Sequence, residues 1–101
     1  MKKALGRGLD SLLNFRNIEK FFTQALEYDE KGMYLYAFYF YMKTTEIPSP
    51  FTSKALNNAA VILAEHDFID EAIELLTEAL KYDPNNLEAQ ENLKILKGEE
   101  T

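Results

Sequence analysis

The side chains of this chain best suited to act on a charged partner are cations gathered at one end. Lys2, Lys3, Arg7 and Arg16 stand against the single acid Asp10 in the first sixteen residues. Cations so placed can steer a chain toward an anionic surface or carry positive charge to a phosphate. Little else has catalytic promise. His66 is the only histidine, in "EHDF", and cysteine is absent. No glycine-rich phosphate loop is present, and His66 beside Asp67 reads as a turn pair. The acids Glu27, Asp29 and Glu30 read as a solvated helix face. The expectation is therefore a non-enzymatic protein with no metal and no cofactor.

The charge is divided along the chain. Residues 1–16 hold four basic and one acidic side chain, +3, and residues 17–101 hold seven basic and sixteen acidic, −9. The acidic body should repel nucleic acid, whose phosphates are recognised by Lys and Arg. Lys2 and Lys3 resemble the start of a secretion signal, but no apolar stretch of seven residues follows. No window is apolar enough to span a bilayer. A cytoplasmic location is the expectation, and the lack of cysteine fits a reducing compartment.

The elements that must position any such chemistry repeat. In "ALNNAAVILAEHDFIDEAIELLTEALKYDPNN", from Ala55, small or apolar residues fall at Leu56, Ala59, Ala60, Leu63, Ala72, Leu76 and Ala79, followed by Pro84. Ile69, Ala72, Ile73, Leu76, Ala79 and Leu80 recur at steps of three and four, which puts them on one helix face. Subtracting 35 maps Leu56 to Phe21, Ala60 to Ala25, Leu63 to Tyr28, Ala72 to Ala37 and Leu76 to Tyr41. Gly32 falls at the corner, and Pro48 and Pro50 bracket the position of Pro84. The spacing predicts helices near 17–30, 33–46, 52–65, 69–82 and 86–97, with Asn86 as an N-cap. A shorter helical turn is expected from Asp10. Ala25, Ala37, Ala59, Ala60, Ala72 and Ala79 are small where helices must approach closely.

This pattern resembles the tetratricopeptide repeat, whose signature runs W-x2-L-G-x2-Y, A-x3-F, P over about 34 residues. The expected fold is all-α: two helix-turn-helix units near 18–52 and 53–86, with a capping helix at 86–97. Residues 16–98 form the repeat domain, and residues 1–15 a basic flexible arm. The resemblance implies a groove lined by the first helix of each pair, here Phe22, Leu26, Lys54, Asn57, Asn58, Val61 and Asn92. It also implies that the family's carboxylate clamp is missing. Only Asn58 matches it, while Phe22, Leu26, Glu88 and Asn92 replace the Lys, Asn, Lys and Arg expected. An apolar or basic peptide suits this groove better than an acidic tail.

The outward face of the second helix differs between units. Asp70, Glu71 and Glu74 correspond to Leu35, Tyr36 and Tyr39. "MYLYAFYFYM" is then apolar nearly all round, with Tyr34, Ala37, Phe38 and Tyr41 inward and Leu35, Tyr36, Tyr39 and Phe40 left over. A helix apolar on every side is normally covered. The cover is a second copy, the leader folded back, or another protein. Self-association is the expectation.

The leader "ALGRGLDSLL" carries a second resemblance. Leu5-Gly6-Arg7-Gly8-Leu9, closed by Leu12-Leu13, is similar to the start of chromosome-partition proteins of the ParB type. The resemblance covers about twelve residues and implies contact with a ParA- or MinD-type ATPase. Lys2 and Lys3 would dock, Leu5, Gly6, Gly8 and Leu9 would shape the arm, and Arg7 would approach the nucleotide. No DNA-binding segment of that family is present. Two alternatives remain open: a repeat scaffold binding a peptide or helix, and a membrane-surface adaptor using Leu5, Leu9, Leu12 and Leu13. Two glycines, at about 1 kcal/mol each, weigh against a helix lying on a bilayer.

Overall fold

The computed structural model describes the backbone of residues 2–98 and the side chains of residues 16–98. Five helices follow one another: α1 (Lys2–Glu30), α2 (Tyr34–Thr44), α3 (Thr52–Glu65), α4 (Ile69–Tyr82) and α5 (Leu87–Lys97). Each packs on its successor, and α5 returns to touch α3. The result is an all-helical array of two antiparallel pairs closed by a single helix.

The alanines make this packing possible. Ala25, Ala37, Ala59, Ala60, Ala72 and Ala79 are fully buried. With no side chain beyond Cβ, they let neighbouring helices approach until larger residues interlock around them. Two clusters result. One gathers Ala25, Ala37, Tyr41, Ala55, Ala59 and Ile62 where α1, α2 and α3 meet. The other gathers Leu56, Ala60, Ala72, Leu76, Ala79 and Ala89 between α3, α4 and α5.

The corners obey the same 35-residue register. Gly32, between α1 and α2, has φ +74°. Its counterpart between α3 and α4 is Asp67, at φ +69°. Glycine enters the left-handed region freely, whereas aspartate does so at a cost. His66 precedes it, and its ring meets the Ile62 carbonyl at 2.8 Å through Nδ1. In the connection from α2 to α3, the Ser49 amide donates to Thr52 Oγ1 (2.8 Å), and the Phe51 amide donates to Ser49 Oγ (3.0 Å). Asn86 caps α5 as expected, its Oδ1 accepting from the Ala89 amide at 3.1 Å.

The first helix departs from expectation. It begins at Lys2, not near residue 17, and runs through Gly6, Gly8 and Asp10 without a break. Glycine costs a helix about 1 kcal/mol, which weakens it without forbidding it. Leu5, Leu9, Leu12 and Leu13 keep the helical spacing across the gap. The glycines therefore neither interrupt the helix nor exclude an amphipathic one. At 1.5 Å per residue α1 is about 43 Å long, against about 16 Å for α2. About three-fifths of α1 thus exceeds the length its partner can cover.

Candidate functional site

Two surfaces follow from this framework, one on the side of α1, α3 and α5 and one on the outward side of α2. The first carries the residues expected to line a groove. Subtracting 35 makes Phe22, Asn57 and Asn92 equivalent positions on α1, α3 and α5. Asn57 is 3% exposed. It accepts from Asn92 Nδ2 at 3.0 Å and donates through Nδ2 to Asn58 Oδ1 at 3.2 Å. These amides join α3 to α5 and are partly used by each other. Phe22 packs on Tyr41 and Phe51 with ring centroids 6.1 and 5.3 Å away. Of the groove residues, Leu26 and Lys54 are exposed, while Phe22, Asn58, Val61 and Asn92 are half-buried. The side-chain spacing brought Asn57, Asn58 and Asn92 together, but as structural glue between helices. A small hollow of ≈ 200 Å³ remains between α3 and α5, lined by Val61, Asn92, Ile95 and their neighbours.

A buried polar contact joins α1 to α2. The Tyr41 hydroxyl donates to Asp29 Oδ2 at 2.7 Å. Burial pushes the Tyr41 pKa upward from its ordinary value, and the neighbouring Asp29 carboxylate adds to the shift. Among the described side chains no buried nitrogen or oxygen lacks a hydrogen-bond partner. No group of three or more metal-ligating side chains is present among the described residues.

The outward side of α2 is aromatic. Tyr36 stacks on Tyr28 at 5.2 Å between ring centroids, and Tyr28 stacks on Phe40 at 5.6 Å. Phe40 meets Tyr39 edge-on at 5.1 Å and Phe21 at 6.1 Å. Lys43 Nζ lies 5.4 Å from the Phe21 centroid and 6.0 Å from that of Tyr39, within cation–π range. Phe40 is therefore half-buried within a ring cluster of its own chain, not left over. Leu35 remains 87% exposed, and Tyr36 and Tyr39 are each 56% exposed. Tyr34, expected to face inward, sits at the rim and is 42% exposed. It begins α2, where the flanking corner leaves one side open, and its ring meets the His66 ring at 5.6 Å.

Leu35 separates two hollows. One, of ≈ 580 Å³, is bordered by Tyr28, Tyr36, Tyr39 and Phe40. The other, of ≈ 510 Å³, is walled by Leu35 itself with Tyr34, Phe38, Ile62, Leu63, His66 and Phe68. Sequence reasoning did not find the second hollow. Phe68, half-exposed at the corner before α4, was its available signal. The cationic residues Lys2, Lys3 and Arg7, with Leu5, Gly6, Gly8 and Leu9, belong to the stretch whose side chains lie outside the described residues.

Comparison with known proteins bears on the second helix pair. Residues 53–86 match the family model of the tetratricopeptide repeat. That segment contains α4 whole and all of α3 but its first residue, and stops at the α5 cap. No curated protein gives a significant match to the chain. Among the described residues no helix is long and apolar enough to cross a membrane. The α3–α4 unit is thus similar to a tetratricopeptide repeat, a module that generally binds other proteins, and the match covers about a third of the chain.

Proposed function

We propose that this chain is a non-enzymatic adaptor in which the helical array is the scaffold and two of its surfaces take protein partners. The observation that carries this reading is the outward face of α2. There Leu35, Tyr36 and Tyr39 stand exposed where the other unit has Asp70, Glu71 and Glu74. Exposed apolar clusters on an otherwise charged protein mark contact surfaces, and tyrosine is favoured in them. The second surface is the basic start of α1. Its Leu5-Gly6-Arg7-Gly8-Leu9 resembles the ATPase-contacting leader of ParB-type proteins, and it lies on the part of α1 that exceeds the reach of α2. In this reading Lys2 and Lys3 dock on a ParA- or MinD-type ATPase, and Arg7 approaches its nucleotide. Positive charge there would offset the negative charge that develops during phosphoryl transfer.

Phosphate release tests the second surface. The full chain is mixed with ParA- or MinD-type ATPases from the same cell, beside Arg7→Ala. Stimulation that is lost in the variant supports the reading. No stimulation of any such ATPase removes the ATPase from the proposal and leaves the scaffold. Arg7-dependent pelleting with anionic liposomes, without stimulation, would favour the membrane-surface alternative.

A further inference from the structure

We infer that the covered state of the α2 face is a two-fold dimer, in which Leu35 of each copy enters the Tyr34–Phe68 hollow of the other. This deepens the reading of the α2 face as an interface and rests on it. Leu35 is almost fully exposed and itself forms one wall of the hollow, so a knob and its receptor adjoin on one patch. At ≈ 510 Å³, the hollow between Tyr34, Phe38, Ile62, Leu63, His66 and Phe68 has room for a leucine side chain. A foreign partner needs only one of these two features on this chain. An isologous dimer needs both on the same patch, so that the contact made by one copy is returned by the other. The patch has both, side by side at the start of α2.

Area and charge agree with that occupant. Taking about 200 Å² for a whole aromatic side chain, Tyr34, Leu35, Tyr36, Tyr39 and Phe68 together leave roughly 550 Å² exposed per copy. Two copies would bury about 1,100 Å², at the low end for specific interfaces. The expected dimer is therefore weak and dependent on concentration. Each chain carries a net charge of −6, so two copies repel over most of their surface. At this patch the acids Asp70, Glu71 and Glu74 of the other unit are replaced by Leu35, Tyr36 and Tyr39, which removes that penalty locally.

The test is sedimentation of the full chain from micromolar to millimolar concentration, beside Leu35→Asp and Phe68→Ala. Both residues are exposed in one copy, so circular dichroism should show each variant still folded. The expected result is a reversible dimer, with the dissociation constant raised at least about tenfold by Leu35→Asp. Phe68→Ala should raise it several-fold by opening the hollow. In a mixture of labelled and unlabelled copies, isotope-filtered nuclear Overhauser spectra should join Leu35 methyls of one to the Phe68 ring of the other. A monomer at every concentration overturns both the dimer and the self-association reading. A dimer weakened by Leu35→Asp but not by Phe68→Ala, with no Leu35–Phe68 cross-peak, overturns the knob-in-hollow arrangement and leaves the face as an interface. Stimulation of an ATPase through Arg7 is read separately and does not depend on either result.

Discussion

Replacing Asn86 by alanine should loosen the end of the array by about 2 kcal/mol. The Asn86 side chain does two things. Its Oδ1 accepts from the Ala89 amide at 3.1 Å, closing the first turn of α5. Loss of such a cap costs about 1 kcal/mol. Its Nδ2 donates at 2.9 Å to Ser53 Oγ, which itself donates to the Ala79 carbonyl at 2.8 Å. The chain of bonds joins the start of α3, the end of α4 and the start of α5. Ser53 is buried, and a net intramolecular bond of this kind contributes about 1 kcal/mol. The two losses together predict a fall in melting temperature of roughly 8–16 °C for a domain of this size. Urea denaturation followed by circular dichroism measures the free energy directly. Asn86→Ser keeps the cap and should lose only about half as much. A double-mutant cycle between Asn86→Ala and Ser53→Ala should give a coupling near 1 kcal/mol, because the two residues share one bond. If Asn86→Ala lies within about 0.5 kcal/mol of the parent, or the cycle shows no coupling, the tie between the cap helix and the repeats is not as described.

Three further outcomes follow from the same geometry. Asp67→Gly should raise stability by about 0.5–1 kcal/mol, and Gly32→Ala should lower it by about 1 kcal/mol. Both positions hold positive φ, and a Cβ at Gly32 would meet only the Tyr34 ring, no closer than 3.9 Å, so the cost there is in the backbone. Denaturant midpoints check both. Tyr41 has a folded-state pKa above its ordinary value of 10.0, so its contribution to stability is complete below pH 10 and is lost as pH rises beyond it. Tyr41→Phe should flatten that alkaline decline in a pH series of melting temperatures. It should also cost about 1–2 kcal/mol at neutral pH, because Asp29 loses its donor. Ala59→Leu should destabilise by about 1–3 kcal/mol or more, since Ala59 is fully buried where α3 meets its neighbours. A melting curve unchanged by this substitution would contradict the close approach of the helices.

Much of the fold was legible because each local signal agreed with the next. Small residues at helical spacing gave the interhelical contacts, and all six alanines singled out are buried. Gly32 marked one corner, and Asn86 marked the start of α5. The continuation of α1 to Lys2 is masked in the sequence by Gly6 and Gly8, which signal a break. Two local penalties did not outweigh a leucine pattern that persists across them. The candidate surfaces were read less well, because a repeat register says which positions are equivalent but not what each side chain meets. Asn57 and Asn92 occupy the same register position, and their side chains bond to each other instead of remaining free in the groove. Phe40 is spare by register alone, but Tyr28 and Phe21, on the preceding helix, pack against it. The hollow behind Leu35 is built from two helices, α2 and α3, and the corner that follows α3, and no single stretch of sequence contains it.

The account places the working surface of the scaffold on the outward side of α2, with the groove side held together by its own amides. A dilution series of two-dimensional amide spectra on the full chain tests this directly. The account predicts concentration-dependent shifts at Leu35, Tyr36, Tyr39 and Phe68, with Lys54, Val61 and Ile95 unmoved. Shifts confined to Lys54, Val61 and Ile95, with the α2 face silent, would contradict it.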